Sequence, residues 1–261
     1  MTEENKQKDK DSENISQNKT QHNLAPMKDF LALFEESLEF FTHNFKKLIS
    51  LLSVPILAYL VIFAIIFLFS LLSSKNNFKT SSFLFIFLVI SIILGFILAI
   101  IAKIGLYLYV KDVSKNISLL EVLKKAKSKF LGFIWVGFLI NLFVIFWSFL
   151  FIIPGIIFSL YYSLSYWVYI YEHKTGINAL RGSKDLIKSY WWAVLKRYFF
   201  LYGMFFLFFF GSTWIIDFLF NNSIIKLAWS VVIQVIAFLS VPLFIIFSNF
   251  IYLDLKRIKK Q

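Results

Sequence analysis

Residues 131–171 run for 41 positions without one charged side chain, and only Pro154-Gly155 interrupts their apolar texture. As a single straight helix this run would be about 61 Å long, roughly twice the ~30 Å hydrocarbon core of a bilayer. It must therefore turn. Proline lacks a backbone N–H and glycine tolerates positive φ, so Pro154 and Gly155 are expected at the turn of a helical hairpin. The legs are residues 131–153 and 155–171. The second leg, at about 17 residues, lies at the lower limit for crossing, and a re-entrant segment is the alternative.

Four more stretches share this character, at about 49–72, 82–110, 198–219 and 227–251. With 59% hydrophobic residues, 34 Phe and 16% charged residues in 261, the chain carries more apolar surface than one soluble core could hide. The fold class expected is all-α, a polytopic transmembrane helical bundle of about six spans with interfacial amphipathic helices. The membrane domain covers residues 27–258, with a basic end at 259–261. Residues 1–26 hold too little apolar surface to offset ordering entropy and are expected to form a disordered cytoplasmic tail. They contain no apolar signal segment, so the first span is expected to direct targeting.

The net charge of +12 is explained by its distribution. A six-span topology with cytoplasmic termini places 19 Lys or Arg on the inner side and three, Lys75, Lys79 and Lys226, outside. That asymmetry predicts a multi-pass protein of the cell's inner membrane with both termini cytoplasmic. Basic residues beside apolar spans meet anionic headgroups, and no basic nucleic-acid-binding signature occurs, so membrane lipids rather than nucleic acid are the expected partner.

Three amphipathic segments lie between the spans, at about 27–46, 117–130 and 177–191. In the first, Met27, Leu31, Phe34, Leu38, Phe41, Phe45 and Leu48 share one helical face. In the third, Leu180, Ile187, Tyr190, Trp191 and Val194 oppose Arg181, Lys184, Asp185 and Lys188. Such a helix suits the membrane interface, with Arg181, Lys184 and Lys188 contacting lipid headgroups and Arg181 pairing with Asp185. Residues 37–45 and 183–191 align in serine, acid, apolar and aromatic positions at a shift of 146, with a weaker copy at 117–130. Three units of surface helix plus helix pair are the expected plan.

Chemistry finds little purchase. Without cysteine there are no disulfides, thiolate sites or thiol nucleophiles. His22, His43 and His173 have no metal-ligand spacing, and no GxSxG, Walker A or GxGxxG occurs. No catalytic residue, metal or cofactor is therefore expected. Within the spans Asp217 and Lys103 lie near ends, while Asn141, Gln234 and Asn249 are amides suited to interhelical hydrogen bonds. A shared polar cavity lined by those three would favour transport, and a dry, Phe-packed bundle a scaffold. Pro242 is expected to kink the last span.

Ile153-Pro154-Gly155-Ile156, Glu172 at a span end, Ala179-Leu180-Arg181-Gly182-Ser183, Tyr190-Trp191-Trp192 and Tyr252-Leu253-Asp254-Leu255-Lys256-Arg257 together resemble a known pattern. It is that of the glycerophosphoryl diester phosphodiesterase membrane-domain family, and of related six-span bacterial membrane proteins. The resemblance covers about residues 27–258 and marks Glu172, Ser183, Trp191, Tyr252 and Asp254 as motif positions. Lys256 departs from the family's usual arginine, and His173-Lys174-Thr175-Gly176 from its Gly-rich connection. In fused members a separate barrel domain performs catalysis, so the resemblance implies a fold and not hydrolysis. The expected role is non-enzymatic, a membrane scaffold or an envelope and lipid-homeostasis component assembling with itself or with a membrane-protein partner. The alternative is a transporter of a small solute or lipid.

Overall fold

The computed structural model describes residues 26–73, 78–113, 118–220 and 223–259. Most of the expected tail 1–26, the loop residues 74–77, 114–117 and 221–222, and positions 260–261 lie outside them. Helices α1 (Phe30–His43), α2 (Phe45–Ser73), α3 (Phe78–Asp112), α4 (Leu119–Ser128) and α5 (Phe130–Leu150) come first. Then follow α6 (Ile152–Tyr162), α7 (Ser165–Glu172), α8 (Gly176–Ile187), α9 (Trp191–Leu219) and α10 (Ser223–Lys259). No strand occurs among the described residues. The order follows a plan of short helix then long pair: α1 before α2 and α3, α4 before α5 and α6–α7, and α8 before α9 and α10.

Among the described residues six segments are long and apolar enough to cross a membrane, which makes this a multi-pass bundle. The fourth is made of α6 and α7 together, 21 residues from Ile152 to Glu172. That is about 31 Å of helix, so it reaches the length its neighbours have. The expected turn at Pro154-Gly155 is displaced. The break falls at Phe151, whose backbone is extended (φ −158°, ψ 142°), and Pro154 and Gly155 lie in the first turn of α6. Proline is acceptable there because the first-turn N–H groups have no helical partner. Gly155 serves close packing instead of a left-handed turn: a Cβ on it would lie 2.9 Å from Ser148 Cα on α5.

Local chemistry sets the other boundaries. Ser118 caps α4, its Oγ accepting from the Glu121 N–H at 3.3 Å. Asn44 closes α1 by donating from its side-chain amide to the Phe40 carbonyl at 2.9 Å. The same side chain accepts from the Tyr109 hydroxyl of α3 at 2.7 Å. After α7 the chain turns through His173 and Gly176, both at φ +56°. Glycine adopts that conformation without the steric cost histidine bears. Pro242 and Pro55 both lie within helices, α10 and α2.

Burial is concentrated at one end of the bundle. Leu48, Leu51, Ile104, Val136, Trp167, Ile187, Leu201 and Phe247 are all buried there. Trp167 sits at its centre, its ring 4.6 Å from that of Tyr107 and its Nε1–H donating to Ser248 Oγ at 2.7 Å. Toward the opposite end large apolar side chains face outward, Phe149 at 91% exposure and Phe218 at 77% among them. Exposed phenylalanine over that length is what a lipid solvent accommodates. The Pro26–Asp29 segment and the end of α10 meet at the buried end, so both described termini lie on the same side.

Two expected faces differ. On α1, Leu33 and Ser37 are the buried residues; of the predicted apolar face, Leu31 and Leu38 are exposed, as is Phe45 at the start of α2, while Met27 and Leu48 at its two ends are buried. The helix thus has a second apolar side, with Leu33 packed toward α10. On α8, Ala179, Leu180, Ser183, Leu186 and Ile187 are buried against α5, α6, α7 and α10. Its apolar face covers protein where the interfacial reading expected lipid.

Candidate functional site

The last turns of α10 connect to almost everything at the buried end. Tyr252 and Lys256 are four residues apart and share a helical face, which brings both to the Glu172 carboxylate at the end of α7. The Tyr252 hydroxyl donates to Glu172 Oε1 at 3.0 Å, and Lys256 pairs with the same oxygen. Lys174 pairs with Oε2 at 2.8 Å. Asp254 and Arg257, three apart, lie on a different face. The Asp254 side chain is only 2% exposed, takes a hydrogen bond from Arg257 Nη2 at 2.6 Å and another from the Lys28 backbone N–H at 2.9 Å. Lys259 donates to the Asp185 backbone carbonyl at 2.6 Å, fixing α8 as well.

Arg197, near the start of α9, holds the next peptide group along the chain, at its oxygen. Its Nε–H donates to the Lys28 carbonyl at 3.0 Å, its Nη2 contacts that oxygen too, and its Nη1 donates to the Ala193 carbonyl at 2.8 Å. The planar guanidinium serves here as a forked donor to backbone oxygens. The two peptide groups that flank the Lys28 Cα are thereby held by side chains from two different helices. The Lys28 ammonium itself pairs with Glu36.

Ser183 performs a different task. Between α6 and α7 the chain turns at Ser163-Leu164, leaving backbone groups without helical partners. From α8 the fully buried Ser183 hydroxyl donates to the Tyr161 carbonyl at 2.6 Å and accepts from the Leu164 N–H at 3.2 Å. It closes the break from outside.

The proposed headgroup residues separate. Arg181 is exposed and makes no hydrogen bond or ion pair among the described residues, and the expected pairing with Asp185 is not formed. Lys184 lies over the rings of Phe158 (5.9 Å) and Tyr161 (5.8 Å). Lys188 sits in a 3₁₀ turn, Lys188–Tyr190, that interrupts the expected continuous helix before α9. Trp191 follows it, half-buried, with its Nε1–H unpartnered among the described residues. On the loop after α7, Lys129 Nζ lies 3.2 Å from His173 Nδ1. The Lys129 charge, then burial, holds the imidazole below the ordinary histidine range.

Two cavities flank α9. A basic one of about 850 Å³ is bordered by Lys188, Lys196, Trp191, Trp192 and Tyr161. An apolar one of about 1070 Å³ lies between α6 and α9, bordered by Ile156, Leu160, Phe199, Gly203 and Leu207.

The amides do not converge. Asn249 is buried and accepts from the Tyr171 hydroxyl at 3.1 Å, Asn141 donates to its own helix at the Gly137 carbonyl, and Gln234 is exposed. No group of three His, Cys, Asp or Glu able to hold a metal occurs among the described residues. Tyr252 is thus brought to Glu172, while Asp254 on another face of α10 meets the N-terminal segment, and Ser183 and Trp191 serve neighbouring places. Arg197 and the Lys28 backbone were missing from the expected set, since Arg197 follows Lys196 among the charges that flank a long apolar segment. No family model, curated protein or solved structure matches the chain.

Proposed function

We propose that the chain is a non-catalytic scaffold of a bacterial cytoplasmic membrane, with cytoplasmic termini, acting in envelope or lipid homeostasis. The observation carrying this reading is that Asp254, Arg197, Glu172 and Ser183 at the crosslinked end are spent on partners within the protein. Asp254 and Arg197 are committed to the Lys28 backbone, Glu172 to three donors, and Ser183 to a backbone break. Groups so engaged hold helices in place, whereas catalysis needs a group free to meet a substrate. The resemblance to phosphodiesterase membrane domains agrees with a structural role, since hydrolysis there belongs to another domain. The lysine asymmetry supports the orientation.

A second reading, a lipid or small-solute transporter, draws on the apolar cavity between α6 and α9. Reconstitution separates the two. Vesicles holding the purified chain are expected to exchange fluorescent lipid and release trapped solute no faster than protein-free vesicles. Faster flux in either assay would replace the scaffold by the transporter. Because the chain has no cysteine, single replacements report sidedness directly. Lys184→Cys is expected to resist an impermeant thiol reagent in intact cells and Ser223→Cys to react, and the reverse pattern would invert the topology.

A further inference from the structure

The two cavities beside α9 follow one another along a single stripe of that helix. Trp192, Lys196, Phe199, Gly203 and Leu207 are spaced by four, three, four and four residues, so they share one face. Trp192 and Lys196 border the basic cavity, and the other three border the apolar one. From Lys196 to Leu207 the helix rises about 16 Å, close to the ~15 Å that half of a ~30 Å hydrocarbon core provides. The stripe thus leads from cations down through apolar wall over the depth of one leaflet.

Charge complementarity identifies the occupant. Lys188 and Lys196 are exposed and have no hydrogen-bond or ion-pair partner among the described residues, in contrast to Lys28, Lys174, Lys256 and Lys259 nearby. No Asp or Glu borders either cavity among the described residues. Trp191 and Trp192 add amphipathic rings of the kind that sit at headgroup level. At Gly203 an added Cβ would meet nothing within 4 Å, so the missing side chain is what leaves the groove wide there.

We infer that α6 and α9 hold one anionic glycerophospholipid from the leaflet at the crosslinked end. Its phosphate lies against Lys188 and Lys196, and an acyl chain lies over Gly203. This goes beyond a general attraction of a basic face to a charged bilayer, because the headgroup and the chain occupy adjoining parts of one groove. It is also independent of the scaffold proposal, since a transporter could retain the same lipid.

The test uses the full chain, delipidated in detergent and titrated with phosphatidylglycerol or phosphatidylcholine of identical acyl chains, with bound lipid counted by native mass spectrometry. Phosphatidylglycerol is expected to be retained in preference. Each lysine near a charged membrane surface contributes about fivefold in binding, so Lys188→Gln with Lys196→Gln is expected to weaken phosphatidylglycerol roughly 25-fold and the zwitterionic phosphatidylcholine by clearly less. Gly203→Leu fills open space and is expected to weaken both lipids without lowering the unfolding temperature. Glycerol phosphate alone is expected not to compete. Equal retention of the two lipids would overturn the inference. So would displacement by glycerol phosphate, or an equal loss in the Lys124→Gln, Lys125→Gln control on α4, which removes the same charge elsewhere.

Discussion

Removing either clasp on the Lys28 backbone should free the N-terminal approach to α1, and removing both should do little more. Asp254 is nearly inaccessible and accepts from the Lys28 N–H at 2.9 Å, while Arg197 donates to the Lys28 carbonyl at 3.0 Å. A hydrogen bond to a charged group contributes about 1.5–3 kcal/mol, so each of Asp254→Asn and Arg197→Gln should lower the local opening free energy by that amount. Amide exchange through local opening would then quicken by about tenfold to hundredfold over residues 27–33. The two side chains grip the adjoining peptide groups of one residue, so once that residue swings free the second grip has nothing to hold. The double variant should exchange within about threefold of the faster single one, against a product of about 10² to 10⁴ for independent sites. Hydrogen exchange read by mass spectrometry on the purified chain measures this, with α4 as an internal reference. A double variant showing the full product would refute the shared clasp, and unchanged exchange in both single variants would refute the bonds themselves.

Ser183→Ala should cost about 1–3 kcal/mol in detergent-induced unfolding, because two backbone groups at the α6–α7 break lose their partner, whereas Ser128→Ala on exposed α4 should be silent. Equal effects would show that the break is satisfied without Ser183. Gly155→Leu should destabilise by about 1–3 kcal/mol through collision with Ser148, and an unchanged midpoint would mean that α5 and α6 do not approach as described. Glu172→Gln should cost less than about 1 kcal/mol despite its three donors, since Lys174 and Lys256 are partly exposed to screening; a loss above 2 kcal/mol would contradict this. Lys129→Gln should raise the His173 pKa toward the ordinary histidine range by removing the neighbouring charge, and an NMR titration with an unmoved midpoint would exclude that cause.

The spans were legible because hydropathy over about 20 residues is a local property that the bilayer enforces regardless of packing. Details dependent on partners were not. Pro154 pointed to the hairpin but not to its break, since proline fits both a turn and a first helical turn, and Phe151 carries no signal of its own. The period of α8 told which side chains leave water without telling whether protein or lipid receives them. Tyr252, Asp254 and Glu172 were visible as motif positions, yet the Asp254–Lys28 bond spans 226 residues and no local pattern encodes it. Asn249 does bond to another helix, as its chemistry suggested, whereas Asn141 turns back on its own. Arg197 was hidden among flanking charges that usually face solvent.

The seal supplied by Ser183 also imposes an order on synthesis. The hydroxyl that completes the α6–α7 junction lies 19 residues after the N–H and 22 after the carbonyl that it serves. At about 5–20 residues per second, those two groups wait roughly one to four seconds on the ribosome before their partner exists. During that interval the fourth crossing is a length of apolar helix with an open seam, and its final form is conferred by the helix that introduces the fifth.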